Sequence, residues 1–165
     1  MGRLWLEQHI EVWNDVPPAE IVEECKLTLV GKILSELSIN LLAFQSTLRR
    51  FWKIDEVNIS IREARLYVAK FKNDIDRQHV LDRGSWLFSG HLVIFTPWIL
   101  NTLLHCYDFS TCAFWVQVFG IPLEWCSVNM VERAVKHIGK VLEVRIDSKE
   151  GVSLRTVRVR VDLDV

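Results

Sequence analysis

"GSWLFSGHLVIFTPW", residues 84–98, is the stretch that decides the fold. Gly84 closes a helix, "WLF" is a short extended piece, and Ser89-Gly90 turns the chain. "HLVIF" is then a strand that ends at Pro97, which has no N–H to give to a ladder. Immediately upstream, a helix starting at Asn73 or Asp74 is predicted to bury Ile75, Val80 and Leu81, with Arg83 favourably placed in its last turn. Before it, "VNISI" and "ARLYVAKF" alternate as two strands joined by a tight turn near Arg62-Glu63. Asn40 is a good N-cap, and Leu41, Phe44, Leu48 and Phe51 follow at three- and four-residue steps, giving an amphipathic helix to about Trp52. "CKLTLVGKIL" (25–34) reads as a strand that runs into a loop at Gly31. The order is β-α-β-β-α-β, an α+β fold of the ferredoxin-like or RNA-recognition-like kind, with two helices over one antiparallel sheet.

Downstream, the pattern begins again. "FWVQVFGIPLEW" (114–125) reads as strand, glycine and loop. "SVNMVERAVKHIG" gives a helix with Val128, Val131, Val135 and Ile138 on one face. "KVLEVRI" and "SLRTVRVRVDLDV" are two strands turning at Lys149-Glu150-Gly151. This is a partial βαββ copy without a second helix or fourth strand, so the C-terminal strand is expected to be exposed at an edge. Residues 3–13 suggest a short helix, broken by Asn14-Asp15-Val16-Pro17-Pro18. The expected division is therefore an acidic leader (1–24), a complete unit (25–98), a connector (99–111) and a partial unit (112–165).

Charge is balanced overall, 20 Lys and Arg against 21 Asp and Glu, but unevenly spread. Residues 1–24 carry Arg3 against Glu7, Glu11, Asp15, Glu20, Glu23 and Glu24, whereas residues 25–98 are mildly basic and residues 99–165 neutral. The chain thus lacks the strong positive field of a dedicated phosphate binder. No secretory signal pattern opens it and no apolar run approaches the ~20 residues of a membrane span, so an intracellular protein, nuclear or cytoplasmic, without membrane contact is expected.

The catalytic constellations are missing. No Ser or Cys in a strained turn accompanies a His and an acid, and no glycine-rich loop precedes a Lys, so an enzyme is not expected. Asp74, Asp76 and Asp82 are read as solvated carboxylates on the outside of a helix. Cys25, Cys106, Cys112 and Cys126 have no C-x-x-C pairing and are read as buried thiols. His105, Cys106, Cys112, Cys126 and His137 fit no finger, knuckle or ribbon spacing, so neither metal nor cofactor is expected.

Nucleic-acid binding is tested against the RNA-recognition pattern, which wants rings on its first and third strands. Leu29, Leu66 and Val68 stand where those rings would be, and Tyr67 and Phe71 alternate onto the opposite, core-facing side. Two basic clusters remain. Arg49, Arg50 and Lys53 end the first helix, and Arg158 and Arg160 alternate with Val157, Val159 and Val161 on the last strand. Trp115 and Gln117 share a strand face and would add a stacking ring. The plain alternative for each is structural: cations at a helix C-terminus, a charged face guarding an edge strand, a Trp used for packing.

"CKLTLVGKIL", "NLLAFQSTLRRFWK", "VLDRGSWLFSGHLVIFTPW" and "FWVQVFGIPLEWC", followed by "GKVLEVRID" and "VRVRVDLDV", closely resemble the plant domain-of-unknown-function family 4283, over about residues 22–165. That family resembles the front segment of LINE-type retrotransposon proteins and their descendants, often followed by a CCHC zinc knuckle. The resemblance implies a non-enzymatic role with RNA or single-stranded DNA, and it assigns no binding residues. The alternative is a protein-interaction or self-association module using the same sheet, with a second copy joined through the exposed C-terminal strand. On either reading Trp86, Phe88 and Trp98 are expected to be scaffold.

Overall fold

The computed structural model describes residues 16–62, 65–148 and 155–165. The helix expected at 3–13, the turn at 149–151 and part of that at Arg62-Glu63 lie outside the described residues. The first described element, α1 (Ala19–Lys26), is one the sequence reading does not anticipate. Pro18 accepts the first helical bond from Val22 N–H, Glu20 lies in the first turn and Lys26 in the last, as the helix dipole favours. The following strand therefore opens at Thr28 rather than at residue 25.

The first unit comprises β1 (Thr28–Ile33), α2 (Leu41–Trp52), β2 (Val57–Ile61), β3 (Leu66–Phe71), α3 (Asp74–Arg83), β4 (Trp86–Phe88) and β5 (His91–Pro97). The strands form one antiparallel sheet in the order β2-β3-β1-β5-β4. With β5 as the fourth strand this is the ferredoxin-like order, and β4 is a three-residue hairpin arm added at the edge. Asn40 and Asn73 cap the helices, their side chains accepting from Ala43 N–H (3.1 Å) and Asp76 N–H (2.8 Å).

Three sequence expectations need correction here. Gly31 does not start a loop but sits in the middle of β1, facing Tyr67 and Phe95 on its two neighbours. A Cβ there would lie 2.4 Å from the Phe95 ring, so the residue is glycine because an aromatic ring occupies its side-chain space. In α2 the buried positions are Phe44, Leu48 and Trp52, while Phe51 is 45% exposed. In α3 Val80 is buried and Leu81 partly so, but Ile75 is 81% exposed because it stands on the first turn's outer side.

Each face of the first sheet is covered. Leu29, Ile33, Ile59, Tyr67, Ala69, Phe71 and Val93 meet Phe44, Leu48 and Trp52 of α2 and Val80 of α3. Trp52 is the hub, with Phe71, Trp86 and Phe95 at centroid distances of 5.7, 6.2 and 5.3 Å. Register settles the other face: Val30 pairs with Val68 and Thr96, and Lys32 with Leu66 and Ile94. Leu29 thus faces the helices and not, as expected, the side shared by Leu66 and Val68. The chain itself covers much of that side, since Tyr107, Phe109 and Cys112 bury against Val30, Leu66 and Ile94, with Leu104 and Phe114 alongside, while Asn58 and Lys70 stay exposed. The Tyr107 hydroxyl accepts from Ile99 N–H at 2.8 Å, which ties the connector down.

Trp86 packs on the hub and donates its indole N–H to Val80 O at 3.0 Å, and Phe88 is buried. Trp98 lies beyond β5, half-buried beside Ile21, Val22 and Cys25 of α1, and so packs apart from Trp86 and Phe88. Trp86→Ala is expected to cost about 2–3 kcal/mol, the ring being only partly buried, and to change ligand binding only through folding. Paired melting and binding measurements check this: loss of binding at an unchanged melting temperature would make Trp86 a contact residue.

The second unit is β6 (Thr111–Val118), α4 (Val128–Val135), β7 (Lys140–Ser148) and β8 (Arg155–Asp164), with sheet order β6-β8-β7. This is the βαββ part of the same topology. The C-terminal strand is consequently central, paired on both sides, and not the exposed edge expected of it. Val157, Val159 and Val161 bury under Val131 and Val135 of α4, whereas Val128 and Ile138, expected on that face, are 48% and 52% exposed at its ends.

Candidate nucleic-acid interface

Strand alternation sorts the second sheet into two chemistries. Val116, Val118, Val144, Ile146, Val157, Val159 and Val161 turn toward α4. Trp115, Gln117, Glu143, Arg145, Asp147, Arg158 and Arg160 therefore occupy the other face. Register then assembles them: Trp115 lies opposite Arg160, Gln117 opposite Arg158, and Arg158 opposite Arg145. Three guanidinium groups surround the Trp115 ring, with Arg145 at 4.7 Å, Arg160 at 5.6 Å and Arg158 at 6.0 Å from its centroid. Such placement is the cation–π arrangement, to which a planar guanidinium is well suited.

The ring is held from below by the first unit. Its indole N–H donates to Asp82 O at 2.8 Å, and the Arg160 guanidinium donates to both Leu81 O and Asp82 O. These carbonyls end α3, where they lack helical partners and carry the negative end of the dipole, so a cation is the natural cap. Arg160, expected to be a free basic position, is thus a bolt between the units. Arg158 is exposed and pairs with Asp147 at 2.7 Å; Arg145 is exposed and pairs with Glu143 at 2.5 Å. The hydrogen bond it donates to the Glu143 carboxylate pushes the Arg145 guanidinium further above its already high pKa, so it is a cation at every working pH. His79, Asp82 and Arg83 of α3 face Trp115, Arg145 and Arg158 across a cleft of about 630 Å³.

The other basic cluster has a different character. Arg49 directs Nε (3.3 Å) and Nη2 (3.1 Å) onto Val57 O and so pins α2 to β2. Lys53 ends α2 in the left-handed region (φ 58°), and Arg50 lies 5.6 Å from the centroid of its neighbour Phe51. Arg50 and Lys53 are exposed, and the half-exposed Phe51 between them has one guanidinium over its ring where Trp115 has three. Trp115, Gln117, Arg158 and Arg160 are therefore brought together, and Arg49, Arg50 and Lys53 sit apart on the first unit.

Sequence reading missed Arg145, His79 and Arg83. Arg145 carried a usable signal, alternating with Val144 and Ile146 just as Arg158 does with its valines. His79 and Arg83 carried none, because their part depends on where α3 ends relative to the second sheet. Among the thiols, Cys112 is buried, which pushes its pKa up and keeps it protonated, whereas Cys106 is exposed, contrary to expectation. Among the described residues no three His, Cys, Asp or Glu side chains gather as a metal set would. No described helix is long and apolar enough to cross a membrane.

Residues 21–102 match the model of a family described as a domain of unknown function, DUF4283. The uncharacterized protein At4g02000 of Arabidopsis thaliana is 28% identical over 87 residues, which make up 53% of this chain and 27% of that protein. The chain thus spans about a quarter of the length of this curated relative. Among solved structures, the N-terminal three RNA binding domains of the yeast splicing factor Prp24 align over 82% of this chain and 54% of that one, with a TM-score of 0.35 and 11% identity. The Sex-lethal RNA recognition domains 1 and 2 from Drosophila melanogaster align over 84% and 86%, with a TM-score of 0.32 and 9% identity. The ferredoxin-like arrangement itself follows from the strand order given above.

Proposed function

From the premise that this chain belongs to the DUF4283 family through residues 21–102, we propose that it is a non-enzymatic nucleic-acid-binding module that takes RNA on the open face of its second sheet. One observation carries the reading: a half-exposed tryptophan ring on the sheet face turned away from α4, with three arginines around it and its indole anchored to the end of α3. A ring offers sequence-tolerant stacking and the guanidinium groups offer phosphate contacts, the two ingredients of single-strand binding. The first sheet's equivalent face carries Tyr107 and Phe109, which favours the second unit as the stacking surface. The retrotransposon ancestry implied by the family resemblance makes element-derived RNA the natural first ligand.

Phosphate contacts release counterions, so binding must weaken with salt by about 0.7 log units per contact per decade on single strands. Arg145→Gln combined with Arg158→Gln should flatten that slope by about 1 to 1.5. Melting should hardly change, since both side chains are exposed and exposed pairs contribute little. Anisotropy titrations at several salt concentrations measure it. A wild type with no salt-dependent binding to RNA or DNA would leave the face as a protein-interaction or self-association surface instead.

A further inference from the structure

We infer that the cleft between α3 and the second sheet admits one or two unpaired nucleotides, so that the ligand is single-stranded and is held by both units at once. This rests on the proposed function and adds to it the form of the nucleic acid and a second wall for the site. The cleft of about 630 Å³ lies within the ~300–1,000 Å³ range of small-ligand sites. Its floor is Trp115, and the Arg145 guanidinium, a planar group lying over the ring 4.7 Å from its centroid, marks the space a base would enter. One side is Arg158; the opposite side is the last turn of α3, with half-buried His79 and exposed Arg83. A paired base cannot reach a ring set behind such a wall, whereas a splayed one stacks there with its flanking phosphates between Arg83 and Arg158.

The same geometry explains why Trp115 is tied to α3 rather than to its own sheet. The bond to Asp82 O fixes the ring's edge toward the first unit and leaves its remaining surface toward the cleft. The two units are thereby set at the separation the ligand needs before it arrives, which lowers the ordering cost of binding.

The test uses the full chain and a ten-nucleotide RNA, offered as a single strand and as the same sequence annealed to its complement. The single strand is expected to bind at least about tenfold more tightly than the duplex. Arg83→Gln, on α3 and outside the sheet face, is expected to flatten the single-strand salt slope by about 0.7. Trp115→Ala is expected to weaken single-strand binding at least about tenfold, and Trp115→Phe, which keeps a ring, to restore most of it. Equal binding of the two forms, or an Arg83→Gln variant with an unchanged slope, overturns the inference. If the Arg145 and Arg158 double variant still loses slope in that case, the proposed function stands without it. Absence of binding to either form overturns both.

Discussion

Trp52→Ala is expected to remove about 3–5 kcal/mol of stability and to lower the melting temperature by roughly 10 °C or more, the largest effect of any single truncation in the first unit. Trp52 is 1% exposed and touches the side chains of three elements at once: Phe71 on β3, Trp86 on β4 and Phe95 on β5. Removing it deletes the transfer energy of an indole and leaves a cavity bounded by rings that cannot collapse into it. The tryptophan is also imperfect. Its indole N–H is buried without a hydrogen-bond partner, so part of the ring's contribution is spent on an unmet donor. Trp52→Phe removes that donor while keeping an aromatic hub and is expected to cost under about 1.5 kcal/mol. Urea unfolding of the two variants checks the pair. A phenylalanine variant as damaged as the alanine one would show that the whole indole is required and the unmet donor carries no measurable cost.

Gly31→Val is the second large effect, about 2–3 kcal/mol of destabilisation, and it comes from excess rather than loss. A Cβ at Gly31 would stand 2.4 and 2.6 Å from two carbons of the Phe95 ring. Phe95 cannot swing aside because it is edge-on to Trp52 at 5.3 Å. The strand must therefore buckle or the hub must repack, both of which cost stability. The mechanism is separable from β-propensity, which favours valine in a strand. Combining Gly31→Val with Phe95→Ala should recover at least about 1 kcal/mol relative to the sum of the single changes, as measured by a double-mutant cycle in denaturant. Strict additivity would mean that the two positions do not meet.

What the sequence made legible follows from what each pattern encodes. Alternation and capping are local, so the β-α-β-β-α-β order, the caps at Asn40 and Asn73 and the basic and apolar faces of β8 were all readable. Gly31 was misread because glycine in a strand pattern carries one symbol for two causes, a turn and a ring pressed against the backbone. The central place of β8 was misread because alternation says which face a residue occupies and nothing about which strands flank it. Strand parity alone put Trp115 and Arg158 on the face they occupy. The same rule put Arg160 on that face, yet its donation to the end of α3 links residues nearly eighty positions apart and left no trace in either local pattern. Helix α1 was passed over because Pro17-Pro18 reads as a break, although a proline immediately before an acidic first turn is equally a helix start.

The burial of Tyr107 and Phe109 on the first sheet also bears on how such a gene can be copied and rearranged. A duplication or recombination that carried only the first unit would deliver a sheet with Val30, Leu66 and Ile94 laid bare, an apolar face that invites aggregation. One that carried only the second would lose the α3 carbonyls that hold Trp115 and Arg160. The heritable unit is therefore larger than either sheet. Exchange points that preserve this packing fall outside the joined pair, and the connector is held by residues as far upstream as Val30.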